Sequence, residues 1–143
     1  MSQEHASVEP ILIEIETPVA PDLAWRAVTD PAEVTEWFAD VTPIDGIGSP
    51  YSIDFGDGSA VEGRIRALDP GRRVAYTWGW AGQEGGPVTL VTWEVEPRTD
   101  GGSMVRLTHD GWSEAGADAE TRDEHADYWE GYMEELRAML GAE

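Results

Sequence analysis

The sequence predicts an α+β domain in which an antiparallel sheet packs against one long C-terminal helix. Three observations carry this. Apolar and polar residues alternate with period two around Ile11–Ile15 and in five later segments. Turn-forming residues separate the later segments at short intervals, as in a meander. The stretch from about Ala119 to Leu140 is instead apolar every third or fourth residue. A sheet with one apolar face and a helix with one apolar stripe bury each other most simply by packing together. The length of 143 residues suits a single domain over residues 1–143, with residues 1–7 expected to be flexible.

The elements follow in order. Ile11, Ile13 and Ile15 alternate with Leu12, Glu14 and Glu16, and Pro18 ends this strand. Pro21 and Asp22 open a short helix, a proline at the first turn and an acid at the positive helix end. Its apolar residues are Leu23, Trp25, Ala27 and Val28. Asp30, Pro31 and Glu33 mark a second helix start, with Val34, Trp37 and Phe38 following at helical spacing. Five strands come next. Tyr51, Ile53 and Phe55 share the first, before the Gly56-Asp57-Gly58 turn; Val61 and Ile65 lie on the second, before Asp69-Pro70-Gly71. Val74, Tyr76, Trp78 and Trp80 form one face of the third, which ends in a loop at Gly82–Pro87. Val91, Trp93 and Val95 face one way on the fourth, and Asp100-Gly101-Gly102 turns into the fifth, with Val105, Leu107 and His109. Gly111–Gly116 is a loop. The C-terminal helix carries His125, Trp129, Tyr132, Leu136, Met139 and Leu140 on its stripe, with acids on much of the remainder.

Composition narrows the function. The chain carries 29 acidic residues against 9 basic ones, for a net charge of −20, and every basic residue is Arg. Such a charge repels nucleic-acid backbones and anionic headgroups, so neither is an expected partner. An apolar content of 41% is enough for a packed core. The absence of Cys excludes thiolate chemistry, disulfides, zinc fingers and iron–sulfur clusters. Met1–Glu9 has no basic and apolar succession of a secretory signal, and no apolar run approaches the ~20 residues of a membrane span. A cytoplasmic protein is expected. Acidity without Lys also fits a GC-rich or salt-adapted host.

Chemical motifs are few. The Asp54–Glu62 region lacks the alternating ligands and closing Glu of a calcium loop and reads as a hairpin. No Ser lies in a nucleophile elbow and no Gly-rich loop joins a strand to a helix. His109 and His125 have no metal-ligand spacing, so no metal or other cofactor is implied. Either could anchor a ligand or act as a base, but a satisfied core histidine at the sheet–helix edge is the plainer reading. Arg64, Arg66, Arg72 and Arg73 are the only basic concentration and are expected outside, paired with acids. Seven Trp in a chain this short is high. Tyr76, Trp78, Trp80 and Trp93 lie on strand faces able to meet Trp129 and Tyr132 of the long helix, where large rings either fill a core or wall a pocket. Trp25, Trp37 and Phe38 close one end, with Trp37 and Phe38 able to rim an entrance.

Local motifs resemble a known family. Ala24-Trp25-Arg26-Ala27-Val28-Thr29-Asp30-Pro31, continuing to Trp37-Phe38, resembles the opening of proteins similar to the activator of heat-shock protein 90 ATPase, in the START-like (SRPBCC) superfamily. Gly63–Trp78 and Leu107-Thr108-His109-Asp110-Gly111-Trp112 resemble that family's middle and its strand end. Trp129, Leu136 and Leu140 resemble its final helix, with Tyr128 where the family usually has Gly. The resemblance implies a helix-grip fold, a curved antiparallel sheet wrapped around the long helix with a cavity between them. It also implies a lipid-, polyketide- or aromatic-like cargo. The eukaryotic activator adds a separate chaperone-binding domain, for which 143 residues are not expected to leave room. The leading expectation is non-enzymatic binding of a small hydrophobic ligand, with Trp78, Trp80, Trp93, Trp129, Tyr76, His125, Tyr132, Trp37 and Phe38 as candidate ligand-binding residues and no catalytic residue. The alternatives are a module that modulates a chaperone or other protein, and an enzyme of the polyketide aromatase/cyclase kind.

Overall fold

The alternating segment Ile11–Thr17 forms the first strand, β1, and every second residue of it is buried, as the pattern requires. The computed structural model describes residues 8–83 and 85–142; the expectation for residues 1–7 lies outside these. After β1 come α1 (Pro21–Thr29), α2 (Pro31–Trp37), β2 (Asp40–Val41), β3 (Pro50–Asp54), β4 (Ala60–Asp69), β5 (Arg73–Trp80), β6 (Thr89–Pro97), β7 (Ser103–Asp110) and α3 (Ala119–Met139). Asp30 caps α2 by accepting from the Ala32 amide at 3.0 Å, and Asp118 caps α3 by accepting from the Thr121 amide at 2.9 Å.

The strands form one curled antiparallel sheet in the order β1-β7-β6-β5-β4-β3-β2. The chain therefore runs as a meander from β2 to β7, and β1 joins at the far edge beside β7, with Ile13 opposite Leu107. This is the α+β, helix-grip arrangement. The two-residue strand β2, paired with β3, was not expected; it is too short to show a period. Ile15, Val61, Val74, Val91, Trp93, Val105 and Leu107 are buried on the face that the helices cover. No helix among the described residues is long and apolar enough to cross a membrane.

The long helix is fastened to the edge strand by polar side chains. Arg122 donates to the carbonyls of Glu9 and Pro10 at 3.0 Å each, and Arg137 donates to that of Glu14 at 3.2 Å. Thr17 donates to the Leu140 carbonyl at 2.6 Å. The Arg137 bond satisfies a carbonyl group that the edge strand otherwise leaves open, and the Thr17 bond satisfies one at the end of α3. The buried stripe of α3 is Trp129, Met133 and Leu136, continued by Leu140; Met139, expected on it, is 39% exposed. Met133 takes that place because it lies four residues from Trp129, one helical turn, while Met139 falls past the covered face. In α1, likewise, Ala24 is buried and Leu23 is exposed.

Gly63 leaves no room for a side chain between β4 and β5. A Cβ there would lie 2.1 Å from the Thr77 carbonyl oxygen and 2.6 Å from its hydroxyl. The same Thr77 carbonyl accepts from the Tyr51 hydroxyl at 2.5 Å, and the Thr77 hydroxyl accepts from the Arg64 amide at 2.9 Å. The register slips by one residue just after, between Ile65 and Ala67, which bends the sheet at this point.

Candidate functional site

Alternation on β5 sends Tyr76, Trp78 and Trp80 to the covered side of the sheet, and the 3.6-residue period of α3 sends His125, Trp129 and Tyr132 toward them. The rings meet. Trp78 lies 5.4 Å from Trp129 and 5.8 Å from Trp80, centroid to centroid. Phe38, at the end of α2, stacks on Trp129 at 5.1 Å and on Trp37 at 5.2 Å. Tyr132 meets Phe38 edge-on at 4.7 Å. Offset and edge-to-face contacts of this kind add to simple burial.

Two histidines lock the cluster. His109, fully buried on β7, accepts from the Trp129 indole N–H at Nδ1, 3.0 Å away. Its proton is thereby placed on Nε2, which donates to the Thr89 hydroxyl at 2.6 Å. Burial first, and the neighbouring His125 second, hold the His109 imidazole well below the usual histidine range, so it is neutral at pH 7. His125 accepts from the Trp80 indole N–H at Nε2, 3.1 Å away, and its Nδ1–H donates to the Thr121 carbonyl at 2.9 Å. All four ring nitrogens are thus engaged by the protein. The two imidazoles lie 5.6 Å apart, and Trp112 packs on both, at 4.3 Å and 5.0 Å. The Trp78 indole N–H is buried with no acceptor among the described residues.

A cavity of about 590 Å³ opens beside these rings. Its walls come from the β3–β4 turn, the ends of β5 and β6, the loop between them, Trp112 and the N-terminal half of α3. Of the residues expected to bind a ligand, Trp78, Trp80, Trp129, His125, Tyr132 and Phe38 line it. Trp93, Tyr76 and Trp37 do not. They lie, with Phe38, around a smaller pocket of about 30 Å³. There Trp93 donates to the Tyr76 hydroxyl at 3.0 Å and Trp37 donates to the Ala27 carbonyl at 2.7 Å. Burial raises the Tyr51 and Tyr76 phenols above the ordinary tyrosine range; the Tyr51 hydroxyl donates to the Thr77 carbonyl and the Tyr76 hydroxyl accepts from Trp93.

Several lining residues were not among the expected ligand-binding residues: Phe55, Thr89, Trp112, Tyr128, Asp57 and Glu124. Phe55 was legible as the third member of the Tyr51–Ile53 alternation. Trp112 stands in the loop after the last strand, as expected, yet it is only 2% exposed and belongs to the wall. Its indole N–H donates back to the His109 carbonyl at 2.9 Å, which folds the ring under the turn. The lining side chains able to titrate are Asp57, Glu124, His125, Tyr128 and Tyr132. Hydrogen bonds from the Ser59 hydroxyl and amide hold Asp57 below the usual carboxylate range. Tyr132 is raised by burial and by the charge of Asp57 nearby. Among the described residues, Arg64, Arg66, Arg72 and Arg73 make no ion pair, contrary to expectation; Arg64 instead donates to the Gly48 carbonyl at 3.0 Å. Glu94 and Glu96 instead pair with Arg106.

Solved structures share this architecture. Protein MLL2253 from Mesorhizobium loti superposes with a TM-score of 0.80 at 21% identity, over 93% of this chain and 97% of that one. DynU16, a protein in the dynemicin biosynthetic locus, superposes at 0.79 and 21% identity over 93% of this chain, which spans 48% of DynU16. PFC0360w, an HSP90 activator from Plasmodium falciparum, superposes at 0.70 and 16% identity, over 94% of this chain and 97% of that one. At such identities the likeness is one of fold. No curated protein matches the chain in sequence. The family model for Activator of Hsp90 ATPase homolog 1-like protein, however, matches residues 18–141, from the end of β1 through the whole of α3. The chain belongs to that family, within the START-like (SRPBCC) fold.

Proposed function

We propose that the protein binds a small hydrophobic ligand, without catalysis, in the cavity between the sheet and α3. The observation that carries this is the cavity itself. Its volume of about 590 Å³ lies within the span typical of small-molecule sites, and half of its lining residues are aromatic, with polar side chains among the rest. The aromatic cluster fills the deeper interior and leaves this space beside it. An unpartnered buried donor at Trp78 costs roughly 1–3 kcal/mol, and a ligand acceptor that reached it would recover part of that. The histidines favour binding over proton transfer, because their ring nitrogens are committed to Trp80, Thr121, Trp129 and Thr89. Two other readings stand behind this one. A partner-modulating module is favoured by the family and by the structural neighbour PFC0360w, an HSP90 activator. A cyclase-like enzyme would need polar groups free inside the cavity.

Tryptophan emission tests the proposal. Titration with neutral aromatic and alkyl compounds is expected to change it saturably, since ligand entry removes water from several indoles at once. Trp80→Ala, at the wall, should weaken the response. Trp25→Ala, half-buried on α1 and away from the cavity, should not. If no compound saturates the signal, the binding reading is wrong and the partner-modulating one takes its place.

A further inference from the structure

The charge around the cavity restricts the ligand further, if the binding reading above holds. Two carboxylates stand at its edge, Asp57 from the β3–β4 turn and Glu124 from α3, and both are exposed. No arginine is among the lining residues, and the chain has no lysine. Arg122, on the same part of α3 as Glu124, is turned to the edge of β1, where it holds the carbonyls of Glu9 and Pro10. His125 offers no free N–H: Nε2 accepts from Trp80 and Nδ1 donates to the helix backbone. A carboxylate headgroup entering here would meet two like charges and no charged partner, in a protein of net charge −20. A protonated amine would meet the opposite sign. It would also meet the negative ring faces of Trp80, Tyr128 and Tyr132, which line the same cavity.

We propose that the cavity takes an amphiphilic cation: an apolar or aromatic body among Trp78, Trp129 and Phe55, and an amine at the rim between Asp57 and Glu124. Fatty acids and other carboxylates are the disfavoured class. Hydrogen bonds from Ser59 keep Asp57 in place and ionised, so the rim is set before any ligand arrives.

A matched series tests this: phenylbutylamine, phenylbutanol and phenylbutyrate, titrated into the protein by calorimetry and Trp fluorescence. The amine should bind about five- to tenfold more tightly than the alcohol, from ion pairing and cation–π contact, and the acid more weakly than the alcohol. Raising the ionic strength should narrow the amine's advantage. In Asp57→Asn/Glu124→Gln the amine's preference over the alcohol should fall by about threefold or more, while alcohol affinity holds. Glu134→Gln/Glu135→Gln removes the same net charge from exposed helix positions outside the cavity and should leave the preference intact. Equal loss in both double variants would reduce the effect to general attraction by an acidic protein and overturn the proposal. So would an alcohol that binds as well as the amine, an outcome that leaves the cavity reading standing. If none of the three binds, both readings fall.

Discussion

Replacing His109 by Gln removes one titrating group from the core and keeps both kinds of hydrogen bond available. A Gln amide can accept from the Trp129 indole and donate to the Thr89 hydroxyl, the two partners that His109 holds at 3.0 Å and 2.6 Å. In the unfolded chain His109 takes up a proton near pH 6.5; in the folded chain burial and His125 keep it neutral until well below that. Below pH 6.5 the unfolded state therefore binds more protons, so this contribution is complete at higher pH and is lost as pH falls. The limiting slope is about 1.4 kcal/mol per pH unit. Between about pH 7.5 and about pH 5.5, a single such group removes about 1.4 kcal/mol. Urea unfolding of both proteins at several pH values in this window measures it. The carboxylates are common to the two proteins and cancel in the difference. His109→Gln should lose about 1–2 kcal/mol less than the parent over the window, whatever its stability at neutral pH. Equal losses in the two proteins would refute the buried, neutral His109 on which the description of the cluster rests.

Two further substitutions probe the frame that holds the site. Leu136→Ala, at a fully buried position on α3, should cost about 2–5 kcal/mol in denaturant unfolding, whereas Met139→Ala, at a position 39% exposed, should cost less than about 1 kcal/mol. Equal costs would mean that the helix is rotated from the orientation described. Gly63→Ala should destabilise by about 1–3 kcal/mol, because its Cβ would have to displace the Thr77 carbonyl oxygen from 2.1 Å, and backbone yields less readily than a side-chain end. A neutral result in thermal unfolding would show that β4 and β5 separate there without penalty.

Much of this protein is local in origin. The alternation of Ile11, Ile13 and Ile15, the caps at Asp30 and Asp118 and the turns at Gly56, Gly71 and Gly101 follow from side-chain size, charge and backbone freedom within a few residues. Strand and helix order could therefore be read from the chain, and the order of apolar faces required the long helix to cover the sheet. The short motifs carried the family as well, because Ala24–Pro31 and Leu107–Trp112 keep their spacing along the chain. The two-residue strand β2 and the exact rotation of α3 could not be read this way. Asp40–Val41 has no period to detect, and Met133 and Met139 are equally apolar until a neighbouring strand covers one of them.

The cavity belongs wholly to the tertiary structure. Trp80 and Trp93 look alike in the sequence, each an aromatic residue on the covered face of its strand, yet Trp80 faces open space and Trp93 is sealed by Tyr76 and Trp37. Trp112 stands in a loop by sequence and in the wall by structure, because its indole folds back to the His109 carbonyl. Asp57 and Glu124 lie 67 positions apart in the chain and share one rim. Periodicity reports which side of an element is apolar. It carries no information on whether two apolar sides meet closely enough to exclude a ligand, since that depends on the curl of the sheet and on volumes contributed by residues far apart in the chain.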